Sequence, residues 1–146
     1  MEKNSPAQRL KSYLTKLKTV VNEIDLDKQV YKEGTKVNQV AYHAAQSANF
    51  WMRVKIMGLE FERDKDAEYG SEHSLEDINK SIDLAIEATE IFANKKLNLD
   101  DKLSEETPMG EMIIDSVGGG LIFITAHTAE HTAELTMIHD YLSSKE

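Results

Sequence analysis

Two histidines lie four residues apart in the segment Thr125–His131, near the end of the printed chain. The apolar residues around His127 and His131 recur at helical intervals. On a helix, two side chains at this spacing leave the same face, with Cβ atoms roughly 6 Å apart. Two imidazole nitrogens can then bind one metal ion, since neutral imidazole is a common ligand of zinc and related ions. The pair therefore predicts part of a metal site.

A third histidine, His43, lies on the apolar face of an earlier predicted helix, between Val40 and Ser47. A lone inward histidine is usually a hydrogen-bonded core residue. Three buried imidazoles each need a polar partner, however, and one divalent ion satisfies all three together. We expect His43, His127 and His131 to bind a divalent transition metal, with open positions for water and substrate.

The remaining two histidines do not fit this pattern. His73 lies in a predicted loop, and His139 is turned roughly 120° away from His127 on a helix, so we expect both at the surface. The letters from His127 to His131 also match the H-x-x-E-H pattern of inverted zinc peptidases, with Glu130 as the base. That class takes its third ligand, a glutamate, from far downstream, whereas a short segment follows here, and Glu130 steps roughly 60° off the His127 direction.

Composition narrows the classes of function. The chain has 146 residues and suits a single domain over 1–146. It has no cysteine, so a metal must be held by histidine, carboxylate or water. The net charge of −9 argues against a nucleic-acid partner. Without a leader-like or membrane-spanning apolar run, we expect a soluble, cytoplasmic protein that does not enter a membrane.

Apolar periodicity predicts four amphipathic helices and an all-α four-helix bundle. The predicted bounds are Pro6–Ile24, then from a Thr35 cap to Gly58, from a Ser74 cap to Asn94, and from an Asp115 or Ser116 cap to Leu142. The polar connections between them are predicted at Asp25–Gly34, Leu59–His73 and Lys95–Thr107, with Pro108–Ile114 as a turn or an early helical turn. The long second connection allows the second and third helices to be parallel neighbours.

The order and spacing of these residues resemble the DinB-like superfamily of metal-binding four-helix bundles. The resemblance rests on His43 followed eight residues later by Trp51, and on the His127 and His131 pair; the segment 107–112 is similar to the turn before the last helix in relatives. It implies an up-down-down-up bundle, nickel, zinc or iron on the three histidines, and a homodimer. Many relatives continue with Arg-Gly-Gln after the last histidine, where this chain has Thr-Ala-Glu.

Known members of that superfamily include thiol S-transferases, a thiol-dependent isomerase and proteins described as metal-dependent hydrolases. The resemblance therefore implies a metal-dependent enzyme that activates a low-molecular-weight thiol or water for transfer to a small electrophile. A hydrolase, and a non-enzymatic stress-related bundle with a structural metal site, remain as alternatives.

Glu134 is the candidate catalytic residue. One turn past His131, it could be a fourth ligand, a proton acceptor, an orienter of His43, or one half of a plain salt bridge.

Other residues near the histidine face have structural and functional interpretations. Arg53 and Lys55 could hold the carboxylates of a thiol cosubstrate or be solvated surface charges. Phe50 and Trp51 are expected to fill the core beside the site, with substrate stacking as the alternative. Gly120 falls on the His127 face, where close helix packing is the expected use of its missing side chain.

Overall fold

The computed structural model describes residues 5–30 and 34–145. Residues 31–33 of the predicted Asp25–Gly34 connection lie outside the described residues. The described helices are α1 (Pro6–Val21), α2 (Val37–Asn49), which continues as a π-helix (Phe50–Ile56), the short α3 (Lys65–Gly70), α4 (Leu75–Asn94) and α5 (Val117–Ser143). Strands β1 (Lys102–Met109) and β2 (Met112–Ser116) form a two-stranded antiparallel sheet.

The prediction of a mainly helical chain is confirmed, but the prediction of helices alone is wrong. The hairpin β1–β2 replaces the end of the predicted loop Lys95–Thr107 and the uncertain segment Pro108–Ile114. Met109 pairs with Met112 across a two-residue loop whose first residue, Gly110, has φ of 64°. A positive φ at the first loop position is what a type II′ hairpin turn requires, and glycine adopts it without strain.

Most of the predicted helix starts are confirmed. The hydroxyls of Ser5, Ser74 and Ser116 each accept a hydrogen bond from a backbone N–H in the first turn of the following helix. α2 begins one residue later than expected, with Lys36 rather than Thr35 as the residue before it. α1 ends at Val21 instead of Ile24, because the chain turns there into the connection to α2.

The directions of the four long helices follow from the residues that contact each other. α2 and α4 are parallel, because the residue numbers of hydrogen-bonded pairs rise together: Asn38 with His73, Asn49 with Ser81, and Arg53 with Leu84. α1 is antiparallel to α4, since its ion pairs run in opposite order: Lys11 with Glu90 and Lys18 with Asp83. The prediction of parallel neighbours is therefore confirmed.

α5 lies between α1 and α2 and completes the packing. It is antiparallel to α2, because His43 contacts His127 while Trp51, later in the chain, contacts Phe123. The apolar faces of the four helices form one buried core, in which Leu14, Ile82 and Ile124 are fully buried. Among the described residues, none of the helices contains an apolar stretch of the length that a membrane span requires.

Candidate metal centre

The three predicted histidines lie together between α2 and α5. One ring nitrogen from each of His43, His127 and His131 can be chosen so that all three atoms lie within 4.8 Å of one another. The ring centroids are 5.1 Å apart for His43 and His127, 5.1 Å for His43 and His131, and 4.6 Å for His127 and His131. The rings are steeply inclined to one another, at interplanar angles of 70° to 90°.

The spacing of the nitrogens fits a divalent ion. With metal–nitrogen bonds of about 2.1 Å, two imidazole nitrogens on one ion lie roughly 3.0 to 3.4 Å apart for bond angles from octahedral to tetrahedral. The Nε2 atoms of His43 and His127 are 3.2 Å apart. The donor set, three imidazoles and no thiolate, suits zinc, nickel or iron. The cluster could therefore hold a transition-metal ion.

His43 is oriented by a buried carboxylate on α3. Its Nδ1 lies 2.8 Å from Oε1 of Glu68, whose side chain is fully buried, with 0% exposed. Burial alone would raise the pKa of Glu68, but hydrogen bonds from Arg63 and His43 outweigh that effect and lower it. The ionised carboxylate can only accept, so the His43 proton is on Nδ1 and Nε2 offers a lone pair to an ion.

Arg63 holds Glu68 in place. Its Nε donates to Oε2 at 2.7 Å and its Nη2 to Oε1 at 2.9 Å, and Nη2 also donates to the Ser47 hydroxyl at 2.9 Å. This two-point contact fixes the carboxylate plane as well as its position. α3 itself is attached to α2 through Gln39, whose amide donates to the backbone carbonyls at the end of α3.

Glu134 contacts His131 and not His43. Its Oε1 lies 3.1 Å from His131 Nδ1, three residues earlier on α5. The interpretation of Glu134 as the orienter of His43 is therefore wrong: one turn of α5 brings it beside its own histidine, and α3 supplies the carboxylate for His43. Burial raises the pKa of Glu134. Its contact leaves Nε2 of His131 free for an ion, and the prediction that Glu134 is catalytic stays a prediction.

Burial keeps the two histidines of α5 neutral. The pKa of His127 is lowered to about 4, mainly by burial and then by the neighbouring His131 and His43. The pKa of His131 is also lowered to about 4, by burial and by His43. Neutral imidazoles are the form that binds a metal. In addition, His127 Nδ1 is buried without a hydrogen-bond partner among the described residues.

A pocket of about 460 Å³ opens beside His43 and His127. Such a volume is typical of sites for small molecules. Its lining includes an aromatic wall, which we define as Phe50, Trp51 and Phe123, and a cationic rim, defined as Lys55, Arg63 and Lys65. Thr107 and Met109 of β1 complete the lining, so the hairpin that sequence analysis missed is part of the pocket.

Of the other residues considered in the sequence analysis, some line the pocket and others pack within the fold. Lys55 lines the pocket, whereas Arg53 faces α4 and donates to the Leu84 carbonyl. A Cβ on Gly120 would lie 3.3 Å from Ile56, which confirms close helix packing as its use. His73 is half-buried and stacks on Tyr42, so its predicted place at the surface is wrong: the chain entering α4 packs it against α2.

Sequence analysis missed Arg63, Glu68, Lys65 and Thr107. The first three lie in the connection Leu59–His73, which has no apolar period. Asp64 caps α3 by accepting from Ala67, and an aspartate followed by acidic residues is a recognisable helix start. That signal would have found α3, but only the packing of α3 on α2 directs Glu68 at His43.

Comparison of the chain with protein-family models, with curated proteins and with solved structures finds no match. The DinB-like resemblance therefore stays a prediction.

Proposed function

We propose that the chain is a DinB-like metal-binding protein, in which His43, His127 and His131 bind one nickel, zinc or iron ion. The observation that carries the proposal is the convergence of three ring nitrogens from α2 and α5 within 4.8 Å. Carboxylates behind His43 and His131 add to it, since such carboxylates orient metal-binding imidazoles. The helix directions suit an up-down-down-up four-helix bundle, to which the β1–β2 hairpin is an addition.

The proposed activity is transfer of a thiol cosubstrate, or of water, to a small electrophile. A bound divalent ion would supply Lewis acidity. It would lower the pKa of a bound thiol or water, so that this group could lose its proton and become a nucleophile at neutral pH. The chain has no cysteine, so the sulfur comes from a separate molecule. The protein's own residues hold the imidazoles in place through Glu68 and Glu134, and the aromatic wall gives the pocket an apolar surface.

The first experiment measures metal binding. The purified protein, stripped of metal and titrated with Zn²⁺ or Ni²⁺, should bind one equivalent and gain thermal stability. His43→Ala and His131→Ala should weaken binding to similar extents, because each removes one of three ligands. Normal affinity in His43→Ala would show that only the pair on α5 binds, and absence of binding in the wild type would overturn the proposal.

The second experiment separates the candidate activities. The metal-loaded protein is incubated with a generic electrophile and with each of several low-molecular-weight thiols, and thiol consumption is followed. Turnover that needs both metal and thiol supports transfer. Metal-dependent turnover without thiol supports a hydrolase, and metal binding without any turnover supports a structural ion in a non-enzymatic bundle.

We also propose that the chain forms a homodimer through the outer surface of α5 and the hairpin. Ile122, Met112 and Ile113 are 68%, 67% and 57% exposed, and they line one cavity on this surface. Contiguous exposed apolar side chains are typical of a surface that is covered by a partner.

A further inference from the structure

The charges around the pocket are opposite to those of the chain as a whole. The chain has 17 lysines and arginines against 26 aspartates and glutamates. Among the described residues that line the pocket, however, the charged ones are the three cations of the cationic rim, with no carboxylate. An acidic protein repels small anions at long range, so a pocket lined by cations and by no carboxylate is a place where an anion can bind. Within the part of the chain that the structure describes, the charge of Arg63 is balanced by Glu68, which does not line the pocket, and that of Lys55 by the exposed Glu105 alone.

Lys55 is the most unusual member of this rim. Its side chain is only 16% exposed, and its ammonium lies 5.8 Å from the Phe50 ring centroid and 6.0 Å from that of Trp51. The nearest carboxylate, on Glu105, is 3.8 Å away, too far for a hydrogen bond, and its side chain is 82% exposed. Lys55 is thus a largely buried cation without a hydrogen-bonded counter-ion among the described residues.

Two other donors in the same pocket are not fully used. Arg63 binds Glu68 and Ser47 through Nε and Nη2, and its Nη1 makes no hydrogen bond within the described residues. The Thr107 hydroxyl is buried and also has no partner there. Buried donors are normally paired in a folded protein, so the unpaired Thr107 hydroxyl indicates an acceptor brought by a ligand, and Nη1 of Arg63 adds a second donor at the same pocket.

We propose that this pocket binds a small organic carboxylate. Its anionic group is held by Lys55, Arg63 and Thr107, and its apolar part lies against the aromatic wall. The inference extends the proposed function by naming the chemical class of a ligand. It rests on that function in one respect: it takes the pocket beside the histidines as the place where the reaction occurs. On this proposal, either the cosubstrate or the electrophile carries a carboxylate.

The test measures binding of phenylacetate and of its neutral analogue phenylacetamide to the metal-free protein by calorimetry at low salt. Metal-free protein is used because a bound ion could itself attract the carboxylate. We expect phenylacetate to bind about tenfold more tightly, as a charge-assisted contact adds to the same apolar contacts. Equal affinities, or no binding of phenylacetate at millimolar concentration, would overturn the inference.

Three variants attribute the preference to the pocket. Lys55→Met keeps most of the apolar stem and removes the charge, so it should lose most of the preference for phenylacetate. Lys55→Arg should keep it. Lys80→Met removes the same charge from an exposed position on α4 and should also keep it. A full preference in Lys55→Met, with circular dichroism unchanged, would show that the anion binds elsewhere and would contradict the proposal.

Two further measurements test the role of the aromatic wall and distinguish failure of the carboxylate site from failure of the metal site. Inorganic phosphate that binds as tightly as phenylacetate would contradict the role of the aromatic wall. If the protein binds no metal but phenylacetate binding still depends on Lys55, the proposed function fails and the carboxylate site stands. If metal binds and the preference is absent, the carboxylate site fails and the metal proposal stands.

Discussion

The buried carboxylate of Glu68 determines which nitrogen His43 presents to an ion. Glu68→Gln keeps the size of the side chain but can no longer hold the His43 proton as a charged acceptor, and it leaves Arg63 without its counter-ion. We expect metal affinity to fall by about 10- to 100-fold, the usual effect of losing such a support. Calorimetric titration with Zn²⁺ measures it.

Glu130→Gln is the matched control for that variant. Glu130 lies on α5 next to His131 in sequence but is exposed, so the same change of charge should leave metal affinity unaltered. If Glu68→Gln binds metal as tightly as this control, the contact between Glu68 and His43 has no role in the site. Unfolding curves of both variants separate loss of metal from loss of fold.

The lowered pKa values of His127 and His131 predict how the stability of the metal-free protein depends on pH. Both are about 4 in the folded state, against 6.5 for an unperturbed histidine. At a pH between these two pKa values, the histidines of the unfolded chain bind protons that the folded protein does not bind. The free energy of unfolding therefore falls as the pH decreases through this range. From pH 7 to pH 5 we expect a loss of up to roughly 2 kcal/mol per histidine.

Urea unfolding at both pH values measures this loss. A variant with both His127→Gln and His131→Gln should show a much smaller difference between pH 7 and pH 5. A wild type equally stable at both would show that the two imidazoles are not kept neutral by burial.

At the scale of elements, the π-helix after α2 determines which side chains reach the pocket. On a continuous α-helix, Phe50 and Lys55 would be roughly 140° apart. Hydrogen bonds between residues five apart, such as Met57 N to Met52 O at 3.1 Å, reduce the turn per residue. Lys55 therefore comes onto the side of Phe50 and Trp51 and lines the pocket.

A substitution at Gly110 tests whether residues 108–114 form a hairpin turn or a helical turn. Gly110 has φ of 64°, and nothing lies within 4 Å of where its Cβ would be, so Gly110→Ala would be strained only through the backbone. We expect it to destabilise the fold by about 1–2 kcal/mol. Thermal or urea unfolding measures the change.

Gly70→Ala is the control for the hairpin variant. Its position also has free space around it but lies at the end of α3 without a positive φ. Alanine there should be neutral or slightly stabilising. Equal effects of the two substitutions would contradict the turn at Gly110.

At the scale of the whole molecule, the outer surface of α5 and the hairpin predicts the oligomeric state. If this surface forms the proposed homodimer, Ile122→Lys places a charge in its centre and should yield a monomer, which light scattering after size exclusion measures. Met137→Lys, on the same helix and 67% exposed but outside that cavity, should stay dimeric. A monomeric wild type, or a dimeric Ile122→Lys, would show that the surface has another use.

The sequence by itself determined the four long helices and the inward faces that hold the histidines. Apolar periodicity and the caps at Ser5, Ser74 and Ser116 are local properties of the sequence. The spacing of four residues places His127 and His131 on one face of their helix independently of the tertiary structure. The same periodicity placed His43 on the inner face of α2, so all three candidate ligands could be named.

Only the tertiary structure decided what surrounds those histidines. Arg63 and Glu68 reach His43 because α3 packs on α2, and Thr107 reaches the pocket because a hairpin folds beside it. Lys55 reaches it through a local change from α- to π-helix. Such contacts join residues far apart in sequence, or depend on a change in helical geometry, so no local period or spacing encodes them.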